Sequence, residues 1–411
     1  MSDNNITITE GTTIPTPEDD PKIDEARLIS DYLNKTSRKK AVESLLCNIE
    51  TIQQGIKEVW STGIDALDKK LDGGFHPKQL VFIGAISSLG KTSLALQIAD
   101  NVARSGRDVL IFSLEMDSDE LLAKSISRET YRLTEDDDYR SRFCLTTRDI
   151  LSGKVGTIGS KKRDLFDEAL AETRKHDDHM FYYIGENDID IDSLRAMVEL
   201  HRKARNQSPL VILDYLQILR PSQEALSRRL EKRLLTDDDV TKLRVLARDL
   251  NLPVVAISAF NRESYLQTVS TSSFKESSGI EYSSDVLLGM QYTNTDYKKH
   301  WYRTAKMKKA SLVYESKQDH ENRVRELFDK MDRVNIRSLE LKILKNRNGG
   351  RGSVFFDFVA KYNYFEVTGT DEHKPRAYFD IIGKEKDDVE ISDFDDTCEE
   401  LEEIEEILGE V

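Results

Sequence analysis

The sequence predicts an α/β fold, a mostly parallel sheet with helices on both faces and antiparallel strands added at its C-terminal end. Three observations predict it. Short apolar runs alternate with stretches of helical periodicity between residues 80 and 290, the pattern of strands joined by crossover helices. A run of small residues, Gly84-Ala85-Ile86-Ser87-Ser88-Leu89-Gly90-Lys91-Thr92, separates the first strand-like run from the first helix-like one. Beyond residue 338 the apolar runs are joined by short turns such as Asn348-Gly349-Gly350, which suit hairpins.

Taken in order, residues 1–21 are rich in Thr, Pro and Asp, a composition that favours disorder. Residues 22–60 turn helical, with Leu28, Ile29, Tyr32 and Leu33 followed by Val42, Leu45, Leu46, Ile49 and Ile52. Such helices pack on the main domain or dock on a neighbouring subunit. Ser61-Thr62-Gly63 and Asp72-Gly73-Gly74 are turns leading into the core. The expected strands are Leu80–Ile83, Val109–Ser113, Phe181–Ile184, Leu210–Leu213, Pro253–Ser258 and Val286–Met290, with helices near 92–104, 118–132, 162–176, 191–206 and 238–250. Leu339–Leu344, Ser353–Phe358 and Tyr364–Val367 are the antiparallel additions.

The main domain is thus expected over 61–368, with a polar insertion at 293–337 and a tail at 369–411. Residues 298–337 carry twelve Lys/Arg against six Asp/Glu, which reads as a solvated helical insertion or as a nucleic-acid-facing arm. The net charge is −15, but residues 384–411 hold fourteen Asp/Glu and two Lys and so account for −12 of it. The remaining −3 lets basic clusters exist locally, so the overall charge does not exclude a nucleic-acid partner. Three widely spaced cysteines (Cys47, Cys144, Cys398) show no metal-ligand spacing and read as inert thiols of a reducing cytoplasm. No signal peptide pattern opens the chain, and no apolar run is long enough to span a bilayer.

Chemistry concentrates in three places. Leu80-Val81-Phe82-Ile83 leads into the small-residue loop, and Leu94, Ile98 and Val102 put one apolar face on the helix after it. Strand, loop and helix carrying Gly-Lys-Thr form a phosphate cradle, in which loop N–H groups and the helix N-terminus face a polyphosphate. Ala85, Ser87, Ser88, Leu89, Gly90, Lys91, Thr92 and Ser93 are its expected ATP contacts, with Lys91 on the β- and γ-phosphates and the Thr92 hydroxyl on Mg²⁺. The strict motif has Gly at position 85, and Ala serves there only if the turn needs no positive φ. Glu115, at the end of the second strand, is placed to polarise an attacking water, although alone it could equally open the next helix. Asp214 ends Leu210-Val211-Ile212-Leu213 and suits the acid on the Mg²⁺ side, although strand exits often carry Asp for turn reasons.

Ser61-Thr62-Gly63-Ile64-Asp65-Ala66-Leu67-Asp68, Asp72-Gly73-Gly74, the loop from Gly84, Phe112–Met116, Leu213-Asp214-Tyr215-Leu216-Gln217, Leu252–Arg262, Phe274–Leu287 and Lys345-Asn346-Arg347-Asn348-Gly349 follow one another in a single order. Together they resemble the RecA-like motor domain of DnaB-type replicative helicases. The resemblance covers residues 60–368, and Ala at position 85 is common in that family. It implies a RecA-like P-loop NTPase core that hydrolyses ATP with Mg²⁺ and unwinds DNA as a ring, most simply a homo-hexamer, on single-stranded DNA. Lys91, Thr92, Glu115 and Asp214 take the roles given above. Lys345 and Arg347 resemble the basic pair that reaches into the neighbouring subunit's ATP site. Lys275, Glu276, Ser277 and Gly279 fall in the loop that grips single-stranded DNA, and Arg228–Arg233 is a second candidate lining segment.

Two departures qualify the resemblance. Ala259 stands where the family usually has a Gln that senses the γ-phosphate, and Ala has no hydrogen-bonding group to offer. The family's primase-binding domain is replaced by about sixty unlike residues, so the N-terminal helices and the acidic tail become the candidate contacts for a primase or loader. The alternative function is a nucleotide-dependent assembly or recruitment module without productive unwinding. A RecA-like recombination or clock-type ATPase shares the Thr-Gly…Gly-Gly approach to the loop, but the Lys345–Gly349 hairpin and Tyr215-Leu216-Gln217 favour the helicase.

Overall fold

The computed structural model describes residues 7–8, 12–13, 37–53, 58–153, 155, 159–185, 189–220, 232–261, 268–274, 277–293 and 335–371. Most of the N-terminal segment, Arg228 and Arg229, Lys275 and Glu276, residues 294–334 of the insertion and the acidic tail from 372 lie outside the described residues. The chain divides into two compact units, Met1–Glu58 and Val59–Val411. In the first, Thr7–Ile8 pairs antiparallel with Thr12–Thr13, and a helix spans Arg38–Gln53.

The second unit is built on one nine-stranded sheet. Its helices are α1 (Asp65–Lys70), α2 (Lys91–Arg104), α3 (Ser118–Arg132), α4 (Thr147–Leu151), α5 (Ser160–Arg174), α6 (Ile191–Arg205), α7 (Lys232–Asp249) and α8 (Ser277–Ser283). Its strands are β1 (Leu80–Ala85), β2 (Val109–Ser113), β3 (Met180–Ile184), β4 (Leu210–Asp214), β5 (Val254–Ala259), β6 (Val286–Tyr292), β7 (Ile336–Asn346), β8 (Gly352–Val359) and β9 (Tyr364–Thr370). Their order across the sheet is β9-β8-β7-β6-β1-β5-β4-β2-β3. β3, β2, β4, β5, β1 and β6 run parallel, whereas β7, β8 and β9 are added antiparallel.

The pleat sorts each strand's residues between two cores. Val81, Ile83, Ile212, Val255 and Ile257 pack with Leu94, Ile98 and Val102 of α2 on one face. Leu80, Phe82, Val211, Leu213 and Val254 pack with Leu194 and Val198 of α6 and Val240, Leu243 and Ala247 of α7 on the other. Because both faces are covered, the parallel strands read as unbroken apolar runs rather than as alternation. Among the described residues side-chain caps fix three helix starts: Asp117 accepts from the N–H of Glu120 at 2.8 Å, Thr146 from that of Asp149 at 3.1 Å and Asp190 from that of Ser193 at 2.8 Å.

β7 begins at Ile336, so Ile336 and Arg337 belong to the sheet rather than to the insertion expected at 293–337. Arg337 pairs with Phe358 across the ladder, which draws it in. α1, α4 and α8 have no counterpart in the sequence pattern, since each is too short to show a helical period.

Candidate active site

The loop between β1 and α2 answers the question raised by Ala85. Ala85 is the last residue of β1 and has no positive φ; the left-handed positions fall at Ser88 (φ 65°) and Gly90 (φ 87°). Position 90 admits only glycine, because a Cβ there would lie 2.7 Å from the Phe358 ring, which stacks on Phe365. The C-terminal strands therefore press directly on the loop. Arg337 strengthens that contact by donating to the Ser88 carbonyl at 2.6 Å.

Lys91 opens α2, and its ammonium donates to the carbonyls of Ala85 and Ile86 at 3.2 and 2.9 Å. Burial holds it below the usual lysine range, while Asp214 and Glu115 pull the other way. The next side chain, Thr92, donates to Asp214 Oδ2 at 2.7 Å. Asp214 ends β4, is 4% exposed and is pushed up to about 6, chiefly by burial. The Thr92 hydrogen bond and Lys91 oppose that rise, and Glu115 adds to it. Glu115 lies just beyond β2, exposed, on a turn closed by Ser113, whose hydroxyl accepts from the Met116 N–H at 3.2 Å. Lys91, Thr92, Glu115 and Asp214 thus meet at the carboxyl ends of β1, β2 and β4, where open parallel sheets place ligands.

That geometry has a physical reading. A buried carboxylate held next to a hydroxyl, with its proton affinity raised by burial, suits a divalent cation, which would offset the charge that the protein leaves uncompensated. The donor set therefore fits Mg²⁺.

Residues outside the expected set also join this region. The Asn363 side chain accepts from Ser93 Oγ and from Lys124 Nζ, each at 3.0 Å, and donates to Thr147 Oγ1 at 2.9 Å. The Ser93 hydroxyl is thereby engaged with the turn before β9. Burial and the nearby Arg128 lower the pKa of Lys124, and Glu120 and Asp214 oppose this. At position 259 the alanine does not leave an apolar gap. Gln217 donates to Ser258 Oγ at 2.8 Å and its Oε1 faces the Ala259 N–H at 3.5 Å, so an amide side chain stands beside that strand end. Gln217 was visible in the sequence only as part of a motif, whereas Arg337 and Asn363 sit in polar stretches with no periodic signal.

Lys345 and Arg347 are not in this cluster. They lie at the other end of the sheet, where Lys345 donates to Glu281 O at 2.5 Å and Arg347 to Tyr282 O at 3.0 Å. Arg347 also pairs with Asp285, whose carboxylate accepts from the N–H of Leu80, the first residue of β1. The loop follows the last residue of β1, so the strand separates the two groups by about 17 Å. Of the expected DNA-binding residues, Ser277 begins α8 and Gly279 lies within it. A Cβ at Gly279 would meet Asp237 Oδ1 at 2.0 Å, so α8 packs tightly on α7.

A family model described as the DnaB-like helicase C-terminal domain matches residues 55–367. The chain belongs to the DnaB-like helicase family. The replicative DNA helicase DnaB of Helicobacter pylori strain J99 is 26% identical over 387 residues, covering 85% of this chain and 72% of the relative. The DnaB of Geobacillus stearothermophilus is 26% identical over 326 residues, covering 77% and 59%. Among solved structures, one described as an ATPase domain superposes with a TM-score of 0.59 at 20% identity, covering 79% of this chain and 96% of that one. A DnaB-like replicative helicase described with its interactions with primase gives 0.58 at 19% identity, covering 83% and 73%. The fold is RecA-like, and the DnaB-like chain is an enzyme of the ATP-hydrolysing helicase class.

Proposed function

We propose that this DnaB-like chain is the motor subunit of a ring, most simply a hexamer, that moves along single-stranded DNA and separates the duplex during replication in the cytoplasm. The observation that carries it is the separation of Lys345 and Arg347 from the chain's own loop by the length of β1. Cations placed there cannot reach their own site but can complete one on an adjacent copy. Lys91 then holds the β- and γ-phosphates, and Thr92 and Asp214 hold Mg²⁺, which supplies charge neutralisation on the phosphates. Glu115 accepts a proton from the attacking water. Arg347, supplied by the neighbour, stabilises charge developing on the transferred phosphoryl oxygens, with Lys345 beside it.

Single-stranded DNA would be held near the start of α8, from Lys275 and Glu276 to Ser277 and Gly279, through backbone amides and one cation per subunit rather than by reading bases. A primase or loader would meet the N-terminal helices or the acidic tail. The test is displacement of one strand from a forked DNA, with and without ATP. ATP-dependent displacement by the full chain, lost in Lys91→Ala, is the expected result. Full ATP turnover without displacement would instead support a nucleotide-dependent assembly module.

A further inference from the structure

The placement of Lys345 and Arg347 depends on an irregularity in the sheet. Along β7, Leu341 and Ile343 face the core shared with α2, so simple alternation would put residues 345 and 347 there too. The ladder with β6 instead shifts register: Leu288 pairs with Ile343 but Leu287 pairs with Lys345, leaving Leu344 as an extra residue. Leu287 faces the opposite core, and directly paired residues share a face. This bulge turns Lys345 and Arg347 toward α8 and sends Asn346 the other way, to the carbonyl of Lys70 at 3.1 Å.

What they meet is the carbonyl end of α8. Lys345 donates to Glu281 O, Arg347 to Tyr282 O and Arg244 to Ser283 O at 2.5 Å. Three cations thus occupy three consecutive terminal carbonyls, where the helix dipole favours positive charge. Asp285 ties the group together. It is 7% exposed and accepts from Arg244 at 2.8 Å, while Arg347 lies 3.4 Å from its other oxygen. Its backbone completes the clasp, with Asp285 N–H donating to Leu80 O at 2.8 Å and Arg347 N–H to Asp285 O at 3.0 Å. The opposite end of the same seven-residue helix carries Ser277 and Gly279.

We propose that Asp285 and Arg244 are positioning residues for the Lys345–Arg347 pair, and that the pair gives up its α8 carbonyls when it engages the neighbouring subunit's nucleotide. Occupancy of one site then loosens α8 in the adjacent subunit, at the end of the segment placed against DNA. The nitrogens that meet Tyr282 O and Asp285 are the ones a phosphate would draw away, so the two positions compete, and the linkage holds in both directions. The inference rests on the shared site proposed above, and the route it describes does not pass through residue 259.

The test is hydrogen exchange over residues 277–286 of the full chain, with Mg²⁺, ADP and aluminium fluoride compared with no nucleotide, while native mass reports assembly. The nucleotide should protect 91–104 and speed exchange over 277–286 by about fivefold, the size expected for loss of one charged cap. Arg347→Ala should show the faster exchange without nucleotide and no further change with it. Arg244→Ala should lower kcat with KM for ATP unchanged, and Arg244→Lys should recover it. Rings that protect 91–104 but leave 277–286 unchanged would overturn this inference and leave the shared site standing. A monomer hydrolysing ATP at the full rate would overturn both.

Discussion

Asp214 shows how a single side chain sets function against stability. Burial raises its carboxyl to about 6 from an ordinary 3.8. Between pH 4 and 6 the folded chain therefore retains a proton that the unfolded chain has released, so stability falls as pH rises through that window and the penalty is complete above it. Asp214→Asn removes the charge, and the nucleotide-free variant should gain about 1–3 kcal/mol at pH 7.5 and nothing at pH 4. Urea unfolding at the two pH values checks this, and a variant no more stable at pH 7.5 than at pH 4, relative to the parent, would contradict it. The same substitution should abolish Mg²⁺-dependent ATP turnover. Arg337 offers a different single-residue test. It donates to the Ser88 carbonyl, a backbone group of the loop, and so is expected to shape the cradle rather than enter the reaction. Arg337→Ala should raise KM for ATP about five- to tenfold, with kcat within about twofold, in steady-state kinetics.

At the scale of elements, the site is held by the antiparallel strands as much as by the parallel ones. The turn between β8 and β9 places Asn363 at φ 56° and 6% exposed, joined to α2 through Ser93, to α3 through Lys124 and to the start of α4 through Thr147. Asn363→Gly keeps that backbone conformation open and removes all three bonds. It should cost about 2–3 kcal/mol in urea unfolding, because buried partners are left unpaired, whereas a loss below about 0.5 kcal/mol would show that the turn is held by its backbone. The strands leading to Lys91, Glu115 and Asp214 were legible in the sequence because a strand covered on both faces must be an apolar run, and the polar residues at its exit stand out. The bulge at Leu344 left only a faint trace. Alternation from Leu339 to Ile343 breaks at the adjacent apolar pair Ile343-Leu344, but a doublet alone does not identify a bulge, and pairing with β6 reveals the extra residue. Arg337 was hidden for a related reason, since a cation at the head of a strand looks the same as one at the end of a basic insertion.

Across the whole molecule, the parallel topology puts the phosphate loop at one edge of the sheet, and the antiparallel return of β7 carries Lys345 and Arg347 to the other. On the proposed shared site an adjacent copy supplies what each site lacks, which a mixing experiment can read directly. Under that proposal Glu115→Gln lacks the base and Arg347→Ala lacks the finger, so either variant alone should turn over ATP at under about 5% of the parent rate. In a mixed ring, an Arg347→Ala subunit contributes intact Glu115 and an adjacent Glu115→Gln subunit contributes intact Arg347. Random assembly at equal amounts makes about a quarter of the interfaces complete in this sense. Recovered ATP turnover should therefore peak near equal amounts and vanish at either extreme. Diluting each variant with Lys91→Ala chains instead of the other separates the two roles, because a Lys91→Ala neighbour can lend its finger productively only to the Arg347→Ala subunit. The Arg347→Ala and Lys91→Ala mixture should then recover activity, and the Glu115→Gln and Lys91→Ala mixture should not. A site completed within one chain would give no recovery in either, whatever the ratio.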